Sequence, residues 1–279
     1  MIKPTKNEIS AVICSLNAEE TIYKCLKSIQ ENGITEIILV DGNSIDSTKD
    51  IAKKFTNKIY NDPGKGLAIA RNLGISKASR EYILNFGCDN ILHKDTLNLM
   101  MENLNEKTIG VSTMTKLLNP NKNFLSWSIN QYKLSRYYPG YRNVIGTPNL
   151  FPRKILLDFK YDPNMRWSDD ADLCDRLSLI GYKFKISNAF VYEIGSDNIK
   201  SLLNRWKEYG RGDSKIYKKY YKDWTFKRKI KSLLHPLYVD FILPISKIDF
   251  KYKAVILPFL LLIVFIRYYG WLIYSKEKN

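Results

Sequence analysis

Short apolar runs alternate with helically spaced apolar positions through the first ninety residues. Residues 8–16, EISAVICSL, are β-rich and apolar on both faces, the pattern of a buried parallel strand. Residues 20–32 then set Ile22, Leu26 and Ile29 on one helical face, and Gly33 suits a helix C-terminus. Residues 36–41, EIILVD, predict a second buried strand. A helix over 48–55, a strand over 58–60, a helix over 66–78 and a strand over 81–87 follow. This alternation predicts an α/β fold with helices on both faces of a parallel sheet. Ligands of such sheets collect at the carboxyl ends of the strands. Here those ends carry Asn17, Asp41 and Asp89.

The pattern changes beyond residue 200. Residues 233–245 are apolar but interrupted by His235, Pro236, Asp240 and Pro244. Residues 254–274 form a run of 21 with one charge, Arg267, of which only the 13 residues 254–266 are strictly apolar. A 21-residue helix rises about 1.5 Å per residue and just reaches across a ~30 Å hydrocarbon layer, whereas the 13-residue stretch alone reads as a buried or interfacial helix. Charge follows the same division. Residues 200–279 hold 18 of the 44 Lys and Arg but 6 of the 28 Asp and Glu, so most of the net charge of +16 lies there. It is densest in 215–231, KIYKKYYKDWTFKRKIK, directly before the apolar segments. Basic residues beside apolar helices predict attraction to anionic lipid on the cytoplasmic face of a membrane. The interrupted first segment reads as interfacial or re-entrant, because its prolines and Asp240 are costly in lipid. The same basic stretch shows none of the signatures of nucleic-acid readers, so nucleic acid is not an expected partner. The expected organisation is a soluble domain over 1–225 and a basic, hydrophobic membrane-associating region over 226–279.

Composition removes other classes. Gly at 14 and Pro at 10, without repeats, exclude collagen-like, solenoid and disordered chains. Cys14, Cys25, Cys88 and Cys174 are widely spaced, which disfavours a zinc site and suits a reducing compartment. The first ten residues have no apolar core of a cleavable signal peptide.

Several polar residues have local readings beside functional ones. Asn17 suits the cap of the helix after it, and Asp46 or Ser47 the cap of the next. Asp169 and Asp170 suit an acidic helix start, with Asp172 and Arg176 paired one turn apart. Ordered together, however, the segments SAVICSLNAEETIYKCLKSI, EIILVDGNSIDST, GKGLAIARNLGI, EYILNFGCDN, NLFPRKIL, RWSDDADLCDRLSLIGYKF and RWKEYGRG resemble the family 2 glycosyltransferases of the GT-A fold, over residues 8–213.

That resemblance implies a mixed, mostly parallel sheet flanked by helices, followed here by C-terminal hydrophobic helices. It also implies a metal-dependent, inverting enzyme using a nucleoside diphosphate-sugar donor. Asn17, Glu19 and Asp41 would lie against the nucleoside, with Asp46 as a second acid of the same loop. Lys65, Arg71 and Asn72 would lie near the pyrophosphate, where cations and amide donors offset phosphate charge; Lys65 also reads as a solvated surface lysine. Asp89 would be the last acid of the family's Asp-x-Asp motif and bind Mg²⁺ or Mn²⁺. The sequence departs there, since Gly87 replaces the first acid; Asn90 offers an oxygen, and Glu193 stands where the family often has a late metal ligand. Asp170, with Asp169 beside it, matches the acidic signature that supplies the base, because an inverting transfer needs one group to take the acceptor proton. Two adjacent carboxylates repel and raise the basicity of the pair. Trp167 would stack on a sugar, or else be core, and Arg205 would meet the acceptor or be a plain surface residue. Leu202 replaces the Gln of the processive members' motif, which disfavours polymerisation. The aromatic stretch 119–143 would shape the acceptor region. With a membrane-held catalytic domain, the acceptor is expected to be lipid-linked or a saccharide. Two other readings stand beside this one: a catalytically impaired scaffold, and a sugar nucleotidyltransferase, which needs a glycine-rich basic loop that residues 15–20 do not provide.

Overall fold

Strand β1 (Ile9–Ser15) lies between β2 (Glu36–Asp41) and β4 (Tyr82–Gly87), parallel to both, and β3 (Ile59–Asn61) extends the parallel set beyond β2. The helices between them are α1 (Ile22–Glu31), α2 (Thr48–Ala52) and α3 (Leu67–Lys77). Every residue of β2 is buried and β1 nearly so, as strands covered on both faces must be. The computed structural model describes residues 4–62, 64, 66–195 and 198–275. Its elements in this region sit within two residues of those the hydrophobic pattern predicts, except α2, which ends three residues earlier.

Beyond β4 the sheet becomes mixed. A turn leads to β5 (Asn90–Leu92), then α4 (Thr96–Met101), β6 (Thr108–Leu117), α5 (Phe124–Arg136), β7 (Gly140–Arg142), β8 (Asn149–Pro152), α6 (Arg153–Phe159), α7 (Asp169–Leu179) and β9 (Lys183–Glu193). The strand order is β3-β2-β1-β4-β8-β6-β9-β5, with β7 also on β9. Strand β8 runs antiparallel to both neighbours and inserts beside β4, while β6 and β9 are parallel. Ile13, Ile22, Leu26, Leu39, Leu84, Val111, Leu150 and Val191 belong to one continuous buried core between this sheet and α1. The sheet therefore fixes where the ends of β1, β2, β4 and β9 lie.

The chain divides into two compact units. One comprises Met1–Leu118 with Tyr138–Ile194, the other Asn119–Tyr137 with Gly195–Asn279. The boundary expected at 225 falls inside the second unit, because α5 and α8 (Ile199–Tyr220) join the C-terminal helices. Buried Asp240 accepts from Tyr132 Oη at 2.5 Å and from Arg136, both on α5, and from Arg267 Nη1 at 2.7 Å. Arg267 also makes a two-pronged pair with Asp213 of α8, at 2.7 and 3.0 Å. Next in sequence come α9 (Phe226–Leu233) and a further helical run over 235–247, then the terminal helix Phe250–Ser275. That last helix is, by length and composition, long and apolar enough to cross a membrane.

Candidate active site

The loops after β1 and β2 are locked to each other. Asn17 N–H donates to Ser44 Oγ (2.9 Å), Ala18 N–H to Thr48 Oγ1 (2.7 Å) and Glu19 N–H to Asp46 Oδ2 (3.1 Å). In return Ile45 N–H donates to Asn17 Oδ1 (3.0 Å) and Ser47 N–H to Glu19 Oε2 (3.1 Å). Asn17 and Asn43 adopt left-handed backbone conformations, φ 48° and 64°, which asparagine tolerates better than most residues. Asp41 is 0% exposed, and its carboxylate accepts from Ser44 N–H (2.8 Å), Ser44 Oγ (2.6 Å) and Ser15 Oγ (3.2 Å). In this geometry Asp41 organises the loop that presents Ser44 and Ile45, while the exposed surface belongs to Asn17, Glu19 and Ile45.

A second cluster forms where α3, α7 and the segment before β8 meet. Arg71 Nη1 donates to Asp169 Oδ2 at 2.5 Å and lies 3.3 Å from Asp170 Oδ1. Its Nη2 donates to Thr147 Oγ1 at 2.8 Å, and the guanidinium stands 5.2 Å from the Tyr161 ring centre. Asn72 braces Tyr161 from the neighbouring position: its Nδ2 donates to the Tyr161 carbonyl (2.8 Å) and its Oδ1 accepts from Tyr161 N–H (3.0 Å). Arg71, expected near a pyrophosphate, thus grips the paired acids, and the Asn72 amide is taken up by backbone. Gly146, Thr147 and Tyr161 complete this cluster and drew no attention in the sequence, because nothing in their spacing links them to residues 71 or 169.

Asp169 and Asp170 open α7, where first-turn N–H groups and the helix dipole favour negative charge. Asp169 is buried; the Asp170 side chain keeps 23% of its surface exposed. A Cβ at Gly146 would stand 3.7 Å from Asp170 Oδ2, an ordinary van der Waals distance, so the Gly146 backbone lies beside that oxygen. Burial pushes the Asp170 carboxyl up to about 6, with the Arg71 guanidinium opposing and Asp169 adding to the rise. The result is a carboxylate that is ionised at neutral pH yet more basic than a surface aspartate. Asp172 is paired with Arg176 (2.9 Å), which also donates to the Phe159 and Lys160 carbonyls and so anchors α7. Trp167, immediately before, is 40% exposed and held at φ 73°, an uncommon conformation for a bulky residue, with the Arg166 guanidinium 5.5 Å from its ring centre.

Asp89 lies in the turn between β4 and β5. Its carbonyl accepts from Ile194 N–H (2.8 Å), and Asn90 sits opposite Glu193 in the β5–β9 ladder, so the sheet brings Asp89 and Glu193 together. A Cβ at Gly87 would lie 2.8 Å from both Asp89 Oδ1 and Asn90 Oδ1. The space that a first acid would need is filled by these two oxygens, which converge on it. Among the described residues no group of three or more His, Cys, Asp or Glu is arranged around a common point. Two hard oxygens fit a Mg²⁺ or Mn²⁺ ion that takes its other ligands from phosphates and water. Lys65 lies outside the described residues. Arg205 is on α8, in the second unit.

Comparison with known proteins agrees with this architecture. Residues 10–160 match the family described as Glycosyl transferase family 2. A cholesterol galactosyltransferase of Borreliella burgdorferi is 30% identical over 102 residues, which are 34% of this chain and 28% of that protein. A poly-beta-1,6-N-acetyl-D-glucosamine synthase of Staphylococcus epidermidis is 26% identical across 96% of this chain and 68% of its own length. Among solved structures, S. aureus TarS 1-349 in complex with UDP-GlcNAc shares the fold (TM-score 0.54, 16% identity, 92% of this chain and 81% of that one). Glucosyl-3-phosphoglycerate synthase from Mycobacterium tuberculosis, in complex with Mn²⁺, UDP and glucosyl-3-phosphoglycerate, does so too (TM-score 0.53, 16% identity, 75% and 78%). A parallel β1–β4 half, interlocked loops after β1 and β2 and an acidic α7 start coincide with a family match over more than half the chain, and the protein belongs to glycosyl transferase family 2.

Proposed function

We propose that this chain transfers one sugar, with inversion, from a nucleoside diphosphate-sugar to a hydroxyl or phosphate of a lipid-linked acceptor at the cytoplasmic face of a membrane. The observation that carries the chemistry is Asp170: a partly exposed carboxylate, pushed up to about 6, at a helix start and 3.3 Å from the Arg71 guanidinium. The acceptor O–H gives its proton to Asp170 as its oxygen attacks the anomeric carbon from the face opposite the leaving diphosphate. Arg71 and Asp169 act through Asp170, holding its orientation and setting its basicity. Asp89 and Asn90 would hold the divalent ion, which when bound supplies the positive charge that offsets the leaving nucleoside diphosphate. Glu193, opposite Asn90 on β9, would add a further oxygen for the ion. The interlocked loops, through Asn17, Glu19 and Ile45 on the segment that Asp41 organises, receive the nucleoside. UDP in two structural neighbours supports uridine as the base. The cholesterol acceptor named for one relative supports a lipid acceptor, as does the apolar terminal helix.

A thermal-shift panel of UDP, GDP, dTDP and CDP, each with and without Mn²⁺, tests the donor side. UDP at ~100 times its Kd adds about 2.7 kcal/mol of stability. That gain is expected only with metal, and it is lost in Asp89→Ala. Stabilisation by no nucleotide would return the chain to the scaffold reading. Pyrophosphate release from a nucleoside triphosphate and a sugar phosphate would make it a nucleotidyltransferase.

A further inference from the structure

The second unit carries two exposed apolar stripes that no part of the described chain covers. Phe226, Ile230, Leu234, Tyr238 and Ile242 recur every four residues from α9 into the run that follows, and each is exposed, Phe226 by 78%. On the terminal helix, Val255, Leu261, Phe265, Tyr269 and Leu272 form an exposed face, while Ile256, Leu260, Ile263 and Arg267 point inward. Basic side chains stand among both stripes, Lys227, Lys229 and Lys231 on α9 and Lys251 and Lys253 at the start of the terminal helix. An apolar stripe interleaved with cations matches an anionic lipid surface, whose acyl region takes the rings and branched chains and whose headgroups take the ammonium groups.

We infer that these two stripes dock the second unit on an anionic bilayer, and that the terminal helix lies within one leaflet instead of crossing it. The inference deepens the membrane part of the proposed function by naming the surface and its mode.

Two features on the inward face decide between lying and spanning. The whole helix is long enough to cross a membrane, but its uncharged stretch 254–266 covers only about 20 Å, so a crossing would place Arg267 inside the ~30 Å hydrocarbon core. Beyond it, the helix is fused to a charged neighbour. It crosses α8 at Gly210 and Gly270, where an added Cβ at 210 would overlap the Arg267 carbonyl and lie 2.7 Å from Trp271 N. Around that crossing Arg267 pairs with Asp213, Lys218 Nζ donates to the Tyr274 carbonyl (3.2 Å) and Tyr274 Oη donates to Glu208 (3.2 Å). Pulling residues 267–274 through a bilayer would carry the α8 segment with Glu208, Arg211, Asp213 and Lys218 into hydrocarbon, or tear these pairs apart and leave Arg267 and Asp240 uncompensated. Lying in one leaflet keeps the pairs on the inward face and wets none of the apolar one.

Flotation of the full chain with phosphatidylcholine vesicles, with and without phosphatidylglycerol, tests the surface. Binding is expected with the anionic vesicles only, weakening about tenfold or more at high salt. The exposed-site variants Phe226→Asp/Ile230→Asp and Leu261→Asp/Phe265→Asp should each lose about tenfold while keeping the wild-type circular dichroism. Equal binding to neutral vesicles, unchanged binding by the variants, or a concentration-dependent dimer without vesicle binding would overturn the docking surface. Ser275→Cys, expressed in a bacterial host, tests the mode: an impermeant maleimide should label it only after spheroplasts are lysed. Labelling in intact spheroplasts would mean a crossing helix. Donor hydrolysis on the same proteins keeps the two ideas separate. Docking failure moves flotation and leaves hydrolysis intact, whereas failure of the transferase reading removes hydrolysis from wild type without touching flotation.

Discussion

Asp170→Asn separates the two consequences of a carboxyl group held at about 6. The first is catalytic. Near pH 7.5 a group of this pKa is almost wholly ionised, and at pH 5 only about a tenth is, so base-dependent turnover should fall about tenfold across that interval. Asparagine has no acidity to titrate and cannot accept the proton, so kcat should drop by about 10²–10⁴ and the residual rate should be flat over the same range. The second consequence is thermodynamic, and its sign is opposite. The ordinary value is 3.8, so the native state keeps a proton that the unfolded chain releases between pH ~4 and ~6. Ionising Asp170 therefore costs native stability, and that cost is fully present above the native pKa, up to about 3 kcal/mol. The neutral amide escapes it. Asp170→Asn should be more stable than wild type at pH 8 by up to this amount, and the advantage should vanish by pH 4. The assay is release of the nucleoside diphosphate from the donor against pH, with urea denaturation of both proteins at pH 8 and pH 4. A wild-type rate in the variant refutes the base assignment. A variant less stable than wild type at pH 8 refutes the electrostatic account even if catalysis is lost.

Two further perturbations probe the supports of the two units. Arg71→Met removes the cation that touches both acids, leaving buried Asp169 without that partner; a loss of about 3–5 kcal/mol in denaturant titration is expected, with the acid limb of the rate profile moving above pH 6 because the positive charge that opposed the rise is gone. Gly210→Ala places a methyl group against the Arg267 carbonyl at the helix crossing, and overpacking against backbone should cost about 1–3 kcal/mol or more, read as a lowered melting temperature with donor-side nucleotide binding unchanged.

How far the sequence reaches can be seen by following individual residues. Strands β1, β2 and β4 were legible because parallel strands buried on both faces leave continuous apolar runs. Strands β6 to β9 were not, since β8 is only four residues long and takes its place beside β4 through pairing that no local pattern encodes. The same limit applies to the site. Asp170 stands out in the sequence because it lies in a contiguous acidic signature, and Asp89 because it follows a strand. Arg71 was found for a different task, since its contact with Asp169 joins positions 98 residues apart. Asp41 shows the opposite case: the strand end was legible, but three donors from Ser15 and Ser44 turn its carboxylate inward. Arg267 and Asp240, which in sequence only interrupt apolar runs, are each other's partners in the second unit. Read singly, each looks like a defect in a membrane segment. As a pair tied also to Asp213 and Arg136, they hold the terminal helix to α5 and α8; in the proposed docking mode the charge is the attachment point, and the apolar face is what remains for lipid.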